Sequence, residues 1–221
     1  MELIIGPRRF STWSLRPWLV LMRCRADVAV RELDFNTAEG HAEMLARSPS
    51  GLVPVLKVEG ETIWDSLAIA LWCEERYPDA GLWPTDPVAR GLARSAAYEM
   101  HGGFGALRTA CTMNRDHPMV GDVRSAPPSD PAVAADLRRL VGLWREMRSR
   151  FGHSGPQEGA GFLFGSWSVA DAFFTPMATR IRHYQIHLSQ HGDDDGVAAA
   201  YVGTLLAQPD FLSWEAEALG G

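Results

Sequence analysis

Residues 52–66 have the sequence LVPVLKVEGETIWDS, and this stretch contains the elements that decide the fold. Two β-rich runs, at 53–58 and 62–64, flank Glu59-Gly60-Glu61, a connection of hairpin length that contains glycine. They predict two antiparallel strands. The apolar-periodic segment that begins at Asp65-Ser66 predicts a helix, which ends near Tyr77-Pro78 because proline cannot continue it.

The preceding residues alternate between strand and helix patterns. A β-rich run is followed, after Gly6-Pro7, by apolar residues at helical spacing, and a second strand and a short helix follow. The four predicted elements are residues 2–5, the helix carrying Leu15 to Met22, residues 28–35 and residues 38–47. With the hairpin and its helix, the order is βαβαββα.

The pattern changes after residue 81. Trp83-Pro84-Thr85-Asp86-Pro87 is typical of a linker, and convincing strand alternation ends there. We therefore predict two domains, residues 1–81 and an all-helical domain at 87–221. Asp86-Pro87 and Asp130-Pro131 predict helix starts, and Ser168 with Asp171 resembles a capping box. Glycine, proline and charge predict loops at 117–129 and 152–161, and a last helix is expected at 197–206 before a short tail.

Composition and charge exclude several classes of protein. The chain has 221 residues, 46% of them hydrophobic and 22% charged, which is typical of a folded globular protein. The net charge of -6 disfavours nucleic acid, and no apolar run reaches the length of a membrane span. The N-terminus has no signal-peptide pattern, so a cytoplasmic location is expected. The three cysteines, Cys24, Cys73 and Cys111, lie far apart in the sequence and are predicted to be buried thiols.

Four motifs occur in an order that resembles the cytosolic glutathione transferases, specifically a serine-type, zeta-like member. They are Ser11-Thr12-Trp13-Ser14-Leu15-Arg16, Leu52-Val53-Pro54-Val55, Asp65-Ser66 and Ser168-Val169-Ala170-Asp171. The resemblance implies an α/β plus all-α architecture, with a thioredoxin-like βαβαββα domain followed by an α-helical bundle. It also implies an enzyme that uses glutathione as co-substrate with a small electrophile, and a homodimer.

A hydroxyl at a helix entrance suits thiol activation, because a thiol with a pKa of about 8.5 needs help to ionise at neutral pH. Ser11 matches the first serine of the zeta-class motif and is the predicted activator. Thr12 and Ser14 flank it and are alternatives, since helix starts are uncertain by a residue or two. Ser11 as a plain helix cap is the structural alternative.

Two absences narrow the mechanism, because the first tyrosine is Tyr77 and the first cysteine, Cys24, falls late in the predicted helix. A tyrosine activator and a mixed-disulfide mechanism are therefore excluded from the opening turn. Trp13, where the zeta motif has cysteine, is counted with the glutathione-binding residues, and it argues against maleylacetoacetate isomerase activity.

The resemblance assigns further glutathione contacts. A cis Val53-Pro54 bond would expose the main chain of Val53 to the cysteinyl part of glutathione, whereas the sequence alone predicts trans. Ser66 would bind the γ-glutamyl carboxylate with Asp65 near the ammonium group, or Asp65 would simply cap the helix. His41 is the candidate for the glycine carboxylate, with Arg8 and Arg9 as alternatives.

The second substrate is expected against the helical domain and to be apolar or aromatic. The candidate lining residues are Met100, Phe104, Leu107, Arg108, Cys111, Phe211 and Trp214. His183, His187 and His191 have i, i+4, i+8 spacing, but a polar helix end explains them better than a metal site, so no metal is expected. Glutathione-dependent isomerisation and a non-catalytic binding protein are the alternative functions.

Overall fold

The computed structural model describes residues 1–122, 124–153 and 161–220. Its first part has the predicted order: β1 (Glu2–Ile5), α1 (Thr12–Arg23), β2 (Ala29–Glu32), α2 (Ala38–Arg47), β3 (Val55–Val58), β4 (Glu61–Ile63) and α3 (Ser66–Arg76). The sheet order is β2-β1-β3-β4, with β1 parallel to β2 and antiparallel to β3, and β3 antiparallel to β4. The predicted βαβαββα arrangement is confirmed.

The β3–β4 hairpin closes one residue earlier than its sequence suggests. Val58 pairs with Glu61, so only Glu59 and Gly60 form the connection, and both have positive φ, at 52° and 84°. Two consecutive left-handed residues are what a type I′ hairpin turn requires, and Gly60 adopts that conformation without steric cost. The strand β4 therefore starts at Glu61 rather than Thr62.

The remainder of the described chain is helical, as predicted: α4 (Pro87–Gly102), α5 (Gly105–Ala110), α6 (Pro131–Phe151), α7 (Val169–His183), α8 (Val197–Ala207) and α9 (Pro209–Ala218). Asp86 and Asp130 cap α4 and α6, each followed by proline. The short tail predicted after residue 206 is in fact the helix α9. Residues 154–160 of the second predicted loop lie outside the described residues, and the domain boundary between 81 and 87 stays a prediction.

The N-terminal part and the helical part share one apolar core. Leu19 and Ile69 from the first part and Trp144, Phe173 and Trp214 from the second belong to the same buried cluster. The helix α7 packs against both α1 and α4, so it joins the two parts. None of the helices within residues 1–122, 124–153 and 161–220 is both long and apolar enough to cross a membrane.

The capping box at the start of α7 is confirmed and is part of a larger network. The fully buried Asp171 carboxylate accepts hydrogen bonds from the backbone N–H and the hydroxyl of Ser168, at 2.8 and 2.9 Å. It also accepts from Leu163 N–H at 3.0 Å and from the Tyr201 hydroxyl at 2.7 Å. Buried carboxylates persist only with such partners, so Asp171 is structural, as expected.

Candidate functional site

A pair of serine hydroxyls lies at the entrance of α1. Ser11 occupies the N-cap position, but its side chain caps none of the first-turn amides, all of which belong to the described residues. Its Oγ instead lies 2.7 Å from Ser14 Oγ, and Ser14 Oγ accepts a hydrogen bond from Gly6 N–H at 3.1 Å. If the Ser14 hydroxyl donates to Ser11, the hydrogen of Ser11 is left for another acceptor.

Close packing around Gly6 holds this pair in place. A Cβ built on Gly6 would lie 2.5 Å from Phe35, 3.0 Å from Ser11 Oγ and 3.2 Å from Val53. Only glycine allows these three residues to approach so closely. Gly6, just after β1, therefore lets Ser11 and Val53 both pack closely against the end of the strand.

A cavity of about 590 Å³ opens beside Ser11, between the first turn of α1 and the helix α5. Ser11, Thr12, Trp13 and Val53 line it, as expected for a glutathione site. Its other lining residues are Phe10, Phe35, Asn36, Met44, Leu52, Gly105, Arg108, Thr109, Thr112, Met113, Asn114, Arg115 and Arg180. None of these described lining residues is acidic.

Ser14 and His41 do not reach this cavity. Ser14 is fully buried, and its hydroxyl contacts Gly6 N–H and Ser11 Oγ. His41 lies on the exposed face of α2 and is absent from the described lining residues. Its alternative Arg8 forms ion pairs with Glu32 and Glu217, at 2.6 and 2.9 Å.

The Val53-Pro54 peptide bond is cis, as the resemblance implied. It immediately precedes β3, with Pro54 buried and Val53 on the cavity wall. The main chain of Val53, which would make the proposed strand-like contact with a peptide ligand, therefore lies at the same cavity as Ser11.

The entrance of α3 carries the other predicted pair. Asp65 is the N-cap, and its Oδ1 accepts from Leu67 and Ala68 N–H at 2.8 and 3.3 Å. Its Oδ2 lies 3.0 Å from His101 Nε2. The hydroxyl of Ser66 is fully buried and has no hydrogen-bond partner among the described residues. Asp65 is therefore a structural cap, and Ser66 is the member of the pair with unused hydrogen-bonding capacity.

His101 stays neutral at ordinary pH. Burial lowers its pKa, and the positive charges of Arg16 and Arg108 lower it further, against the opposing influence of Asp65. A neutral ring donates Nε2–H to Asp65. No described group pairs with the buried Nδ1.

Four arginines give the site a positive charge: Arg108, Arg115 and Arg180 line the cavity, and Arg16 is buried beside Trp13. Trp13 contacts two of them, with the guanidinium carbon of Arg16 at 4.3 Å and that of Arg108 at 4.8 Å from its ring centroid. Arg16 is fully buried, and its guanidinium has no hydrogen-bond partner among the described residues; it also contacts the ring of Phe173. Its contacts are therefore cation–π rather than ionic. Burial lowers the pKa of Arg16, with Arg108 and Arg180 acting in the same direction.

Arg180 belongs to α7 and is only 5% exposed. It donates to the carbonyls of Cys111 and Pro176, at 3.0 and 3.2 Å. Burial, followed by repulsion from Arg108, lowers the pKa of Arg180 to about 10, so it remains charged at neutral pH. A desolvated cation with only carbonyl partners favours an anion in the adjoining cavity.

Most of the residues predicted to hold the second substrate lie elsewhere. Of the seven candidates only Arg108 lines the cavity, whereas Phe104 is buried and Met100, Leu107, Cys111, Phe211 and Trp214 are fully buried. The reason for the last two is that α9 packs on α1, with Trp214 5.2 Å from Trp18. The aromatic residues of the tail thus belong to the core.

Three residues at or beside the site were not predicted as site residues from the sequence: Arg16, Arg180 and His101. Arg16 was visible only as part of a motif, while Arg180 and His101 had no local signal at all. Of the three spaced histidines, His183 ends α7, His187 lies beyond it and His191 belongs to a separate 3-10 turn. The helical alignment that suggested metal ligands therefore does not form.

Comparisons with known proteins agree with this geometry. Residues 10–76 match the family model described as Glutathione S-transferase, N-terminal domain. The chain is 30% identical over 201 residues to Probable maleylacetoacetate isomerase 1 of Drosophila melanogaster, covering 86% of this chain and 75% of the relative. It is 24% identical to Maleylacetoacetate isomerase of Rattus norvegicus, covering 83% and 79% of the two chains.

Solved structures share the fold over the whole chain. A glutathione transferase homolog from Burkholderia with bound glutathione superposes with a TM-score of 0.72 at 22% identity, covering 100% of this chain and 98% of the other. A sphingomonad glutathione S-transferase complexed with glutathione gives a TM-score of 0.69 at 22% identity and covers 100% of both chains.

Proposed function

The chain belongs to the glutathione transferase family, and we propose that its Ser11 hydroxyl activates the thiol of glutathione for attack on an electrophile in the adjoining cavity. One observation carries this proposal. The Ser11 hydroxyl lies on the cavity wall, caps no amide of its own helix, and is paired with Ser14 at 2.7 Å. When the Ser14 hydroxyl donates to Ser11, the Ser11 hydrogen is free to bond a ligand in the cavity.

The magnitudes suit thiol activation. A hydrogen bond to a charged group contributes about 1.5–3 kcal/mol. The N-terminus of α1 adds about 0.3–1 kcal/mol for an anion. At about 1.4 kcal/mol per pKa unit, the sum lowers a thiol pKa by about one to three units. A thiol of pKa about 8.5 then ionises near neutral pH.

The remainder of glutathione would extend from Ser11 toward α3. The main chain of Val53 pairs with the cysteinyl backbone, and the hydroxyl of Ser66 binds the γ-glutamyl carboxylate. Support comes from Ser66 Oγ, which is buried and unpartnered among the described residues at a helix N-terminus. Because Asp65 is already used by its own helix and by His101, we assign it to holding this helix entrance rather than to direct contact.

The electrophile would combine an apolar body with negative charge. Phe10, Phe35 and Met113 give the cavity apolar walls, while Arg108 and Arg180 contribute two positive charges unopposed by any acidic group among the described lining residues. Such a site stabilises a carboxylate on the substrate or an anion that develops during the reaction.

Glutathione-dependent isomerisation is the second candidate. The two relatives described above are named as a probable maleylacetoacetate isomerase and a maleylacetoacetate isomerase, and the arginine pair suits an anionic substrate. Isomerisation returns glutathione unchanged, whereas conjugation retains it in the product. Analysis of the product by mass spectrometry distinguishes the two reactions. The homodimer and the cytoplasmic location stay predictions, which light scattering and cell fractionation would test.

The direct test compares Ser11→Ala, Thr12→Ala and Ser14→Ala with wild type in the conjugation of glutathione to a halonitrobenzene. At saturating glutathione, the pH dependence of kcat/KM for the halonitrobenzene reports the pKa of the bound thiol. We expect Ser11→Ala to raise that pKa by about one to two units, because it removes one charge-assisted hydrogen bond. Glutathione affinity should change little at a pH below the bound pKa, where glutathione binds as the thiol.

Ser95→Ala is the matched control, since Ser95 is an exposed serine on α4 that donates only to the Gly91 carbonyl. An unchanged thiol pKa in Ser11→Ala, with a raised one in Thr12→Ala, would transfer the role to Thr12. Absence of glutathione binding by the wild-type protein would refute the proposed function itself.

The charge of the electrophile has its own test. Arg108→Met should raise KM for a carboxylated halonitrobenzene and leave KM for the neutral compound nearly unchanged. Arg138→Met, at an exposed position on α6, is the control for removing a positive charge. Equal effects of Arg108→Met on both compounds would show that the cavity does not recognise the carboxylate.

A further inference from the structure

A buried positive charge lies against the wall of the cavity at Ser11. Arg16 belongs to α1 and is fully buried, and none of its guanidinium nitrogens has a hydrogen-bond partner among the described residues. Its guanidinium carbon lies 4.3 Å from the ring centroid of Trp13 and 5.2 Å from that of Phe173. Because Trp13 lines the cavity, Arg16 adjoins the site through an aromatic side chain and is not itself exposed there.

This arrangement is unfavourable for stability alone. A buried charge is costly unless an ion pair or hydrogen bonds compensate it, and cation–π contacts offset only part of that cost. Two other arginines of the site have such hydrogen bonds. Arg108 donates to the carbonyls of His101 and Gly103, and Arg180 donates to those of Cys111 and Pro176. The unpaired charge of Arg16 therefore indicates an anionic partner that binds nearby.

The groups around Arg16 leave a net positive charge. Arg108 on α5 and Arg180 on α7 repel Arg16, whereas Asp65 at the entrance of α3 attracts it. The Asp65 carboxylate already accepts from two amides of its own helix and from His101 on α4. Arg16 is also one of the charges that lower the pKa of His101, after burial. Three arginines against one aspartate favour an added anion.

We propose that Arg16 is a positioning residue whose buried charge lowers the pKa of the glutathione thiol bound at Ser11, without contact between the two. This inference rests on the proposed binding of glutathione at Ser11. Arg16 lies five residues after Ser11, which corresponds to about 7.5 Å along a helix at about 1.5 Å per residue. A unit charge about 10 Å away, at an effective dielectric constant of about 20, shifts a pKa by about one unit.

Burial allows the charge of Arg16 to act over such a distance. Water and dissolved salt screen an exposed charge strongly, but they screen a buried guanidinium much less. Burial lowers the pKa of Arg16, yet an arginine side chain stays protonated in proteins, so its charge persists where the thiol titrates. Ser11 therefore supplies a hydrogen bond to the thiolate, and Arg16 adds a charge that strengthens its ionisation.

The test measures the ultraviolet absorbance of the thiolate of bound glutathione over a pH series. The signal is the difference between spectra with and without glutathione, so it requires binding but no electrophile. The protein's own thiols are subtracted in this way; Cys73 and Cys111 are buried, as predicted, whereas Cys24 is only partly buried. Arg16→Met should raise the thiol pKa by about one unit. Arg16→Lys keeps the charge and should leave that pKa closer to the wild-type value.

Urea unfolding separates this role from a structural one. Because the charge of Arg16 is buried without an ionic partner, Arg16→Met should leave the midpoint of unfolding unchanged or raise it. Arg148→Met is the matched control. Arg148 on α6 lies 5.6 Å from the ring centroid of Tyr201 and is absent from the described lining residues of the cavity. The thiol pKa in Arg148→Met should equal that of wild type.

Two results would overturn the role of Arg16 while leaving thiol activation by Ser11 in place. One is a wild-type thiol pKa in folded Arg16→Met, and the other is an equal rise of the thiol pKa in Arg16→Met and Arg16→Lys. Arg16→Leu is the second neutral variant, to be used if circular dichroism shows that Arg16→Met does not fold. Absence of a glutathione signal in wild type would instead refute the proposed function and this inference together.

Discussion

The variant Ser14→Ala removes the hydrogen bond that orients the Ser11 hydroxyl but keeps the hydroxyl that contacts the thiolate. It therefore tests the positioning of Ser11 separately from thiol activation by Ser11. Ser14 Oγ is fully buried and has two partners, Gly6 N–H at 3.1 Å and Ser11 Oγ at 2.7 Å. Its removal leaves the buried Gly6 N–H without its acceptor, which costs about 1–3 kcal/mol. For a chain of this length each kcal/mol lowers Tm by about 2–4 °C, so a loss of about 2 kcal/mol lowers Tm by about 4–8 °C.

The effect on activity should be smaller than that of Ser11→Ala. Ser14→Ala removes a neutral hydrogen bond of about 1 kcal/mol that orients Ser11, which corresponds to about a fivefold loss in kcat/KM. Ser11→Ala removes the contact with the thiolate itself, at about 1.5–3 kcal/mol, which corresponds to a loss of about 10- to 100-fold. The thiol pKa should therefore rise more in Ser11→Ala than in Ser14→Ala.

Urea unfolding and the pH profile of kcat/KM, measured on both variants and on Ser95→Ala, check this prediction. The expected pattern is a larger stability loss in Ser14→Ala and a larger activity loss in Ser11→Ala. A Ser14→Ala protein of wild-type stability, or one whose thiol pKa rises as far as that of Ser11→Ala, would refute the assignment of Ser14 as a positioning residue.

Three further perturbations test the surroundings of the site. The Asp171 carboxylate accepts four buried hydrogen bonds, so Asp171→Asn should lower the free energy of unfolding by about 3 kcal/mol or more. Asp130→Ala removes one exposed cap and should lower the free energy of unfolding by about 1 kcal/mol. If urea unfolding gave equal losses for Asp171→Asn and Asp130→Ala, this reasoning would be contradicted. Gly6→Ala places a carbon 2.5–3.2 Å from three side chains, so it should slow conjugation and cost about 1–3 kcal/mol. Gly91→Ala, where the added carbon meets nothing within 4 Å, should preserve the conjugation rate. Because the pKa of His101 is lowered from its usual 6.5, the unfolded chain takes up protons first, and stability should fall as pH drops below about 6.5 toward the lowered folded pKa. His101→Gln should weaken that dependence in unfolding experiments over a pH series.

The helices and strands were largely predictable because their signals are local. Hydrophobic periodicity placed α1 to α3 and the hairpin, and aspartate before proline marked the starts of α4 and α6. The misplaced details have a physical reason, since the exact turn residues depend on backbone dihedral angles that neighbouring strands impose. The helix α9 was predicted only as a tail.

The site was predictable mainly where it lies in a local motif, at a helix entrance or next to a proline before a strand. Ser11, Thr12 and Trp13 line the cavity together with Val53, and Ser66 has an unused buried hydroxyl. His41 and the residues proposed for the second substrate were chosen from sequence position, and sequence position does not determine which face of a helix is buried. Except for Arg108, they do not line the cavity, and their roles in binding stay predictions.

The sequence by itself determined the order of elements and the chemistry available at the first turn, because capping and periodicity act between residues a few positions apart. Tertiary structure alone decided which distant groups meet. It places Arg180 and Arg108 on the wall of one cavity and His101 against Asp65. These contacts depend on how α1, α3, α4 and α7 pack, and packing is set by the shape of the whole core rather than by any local pattern.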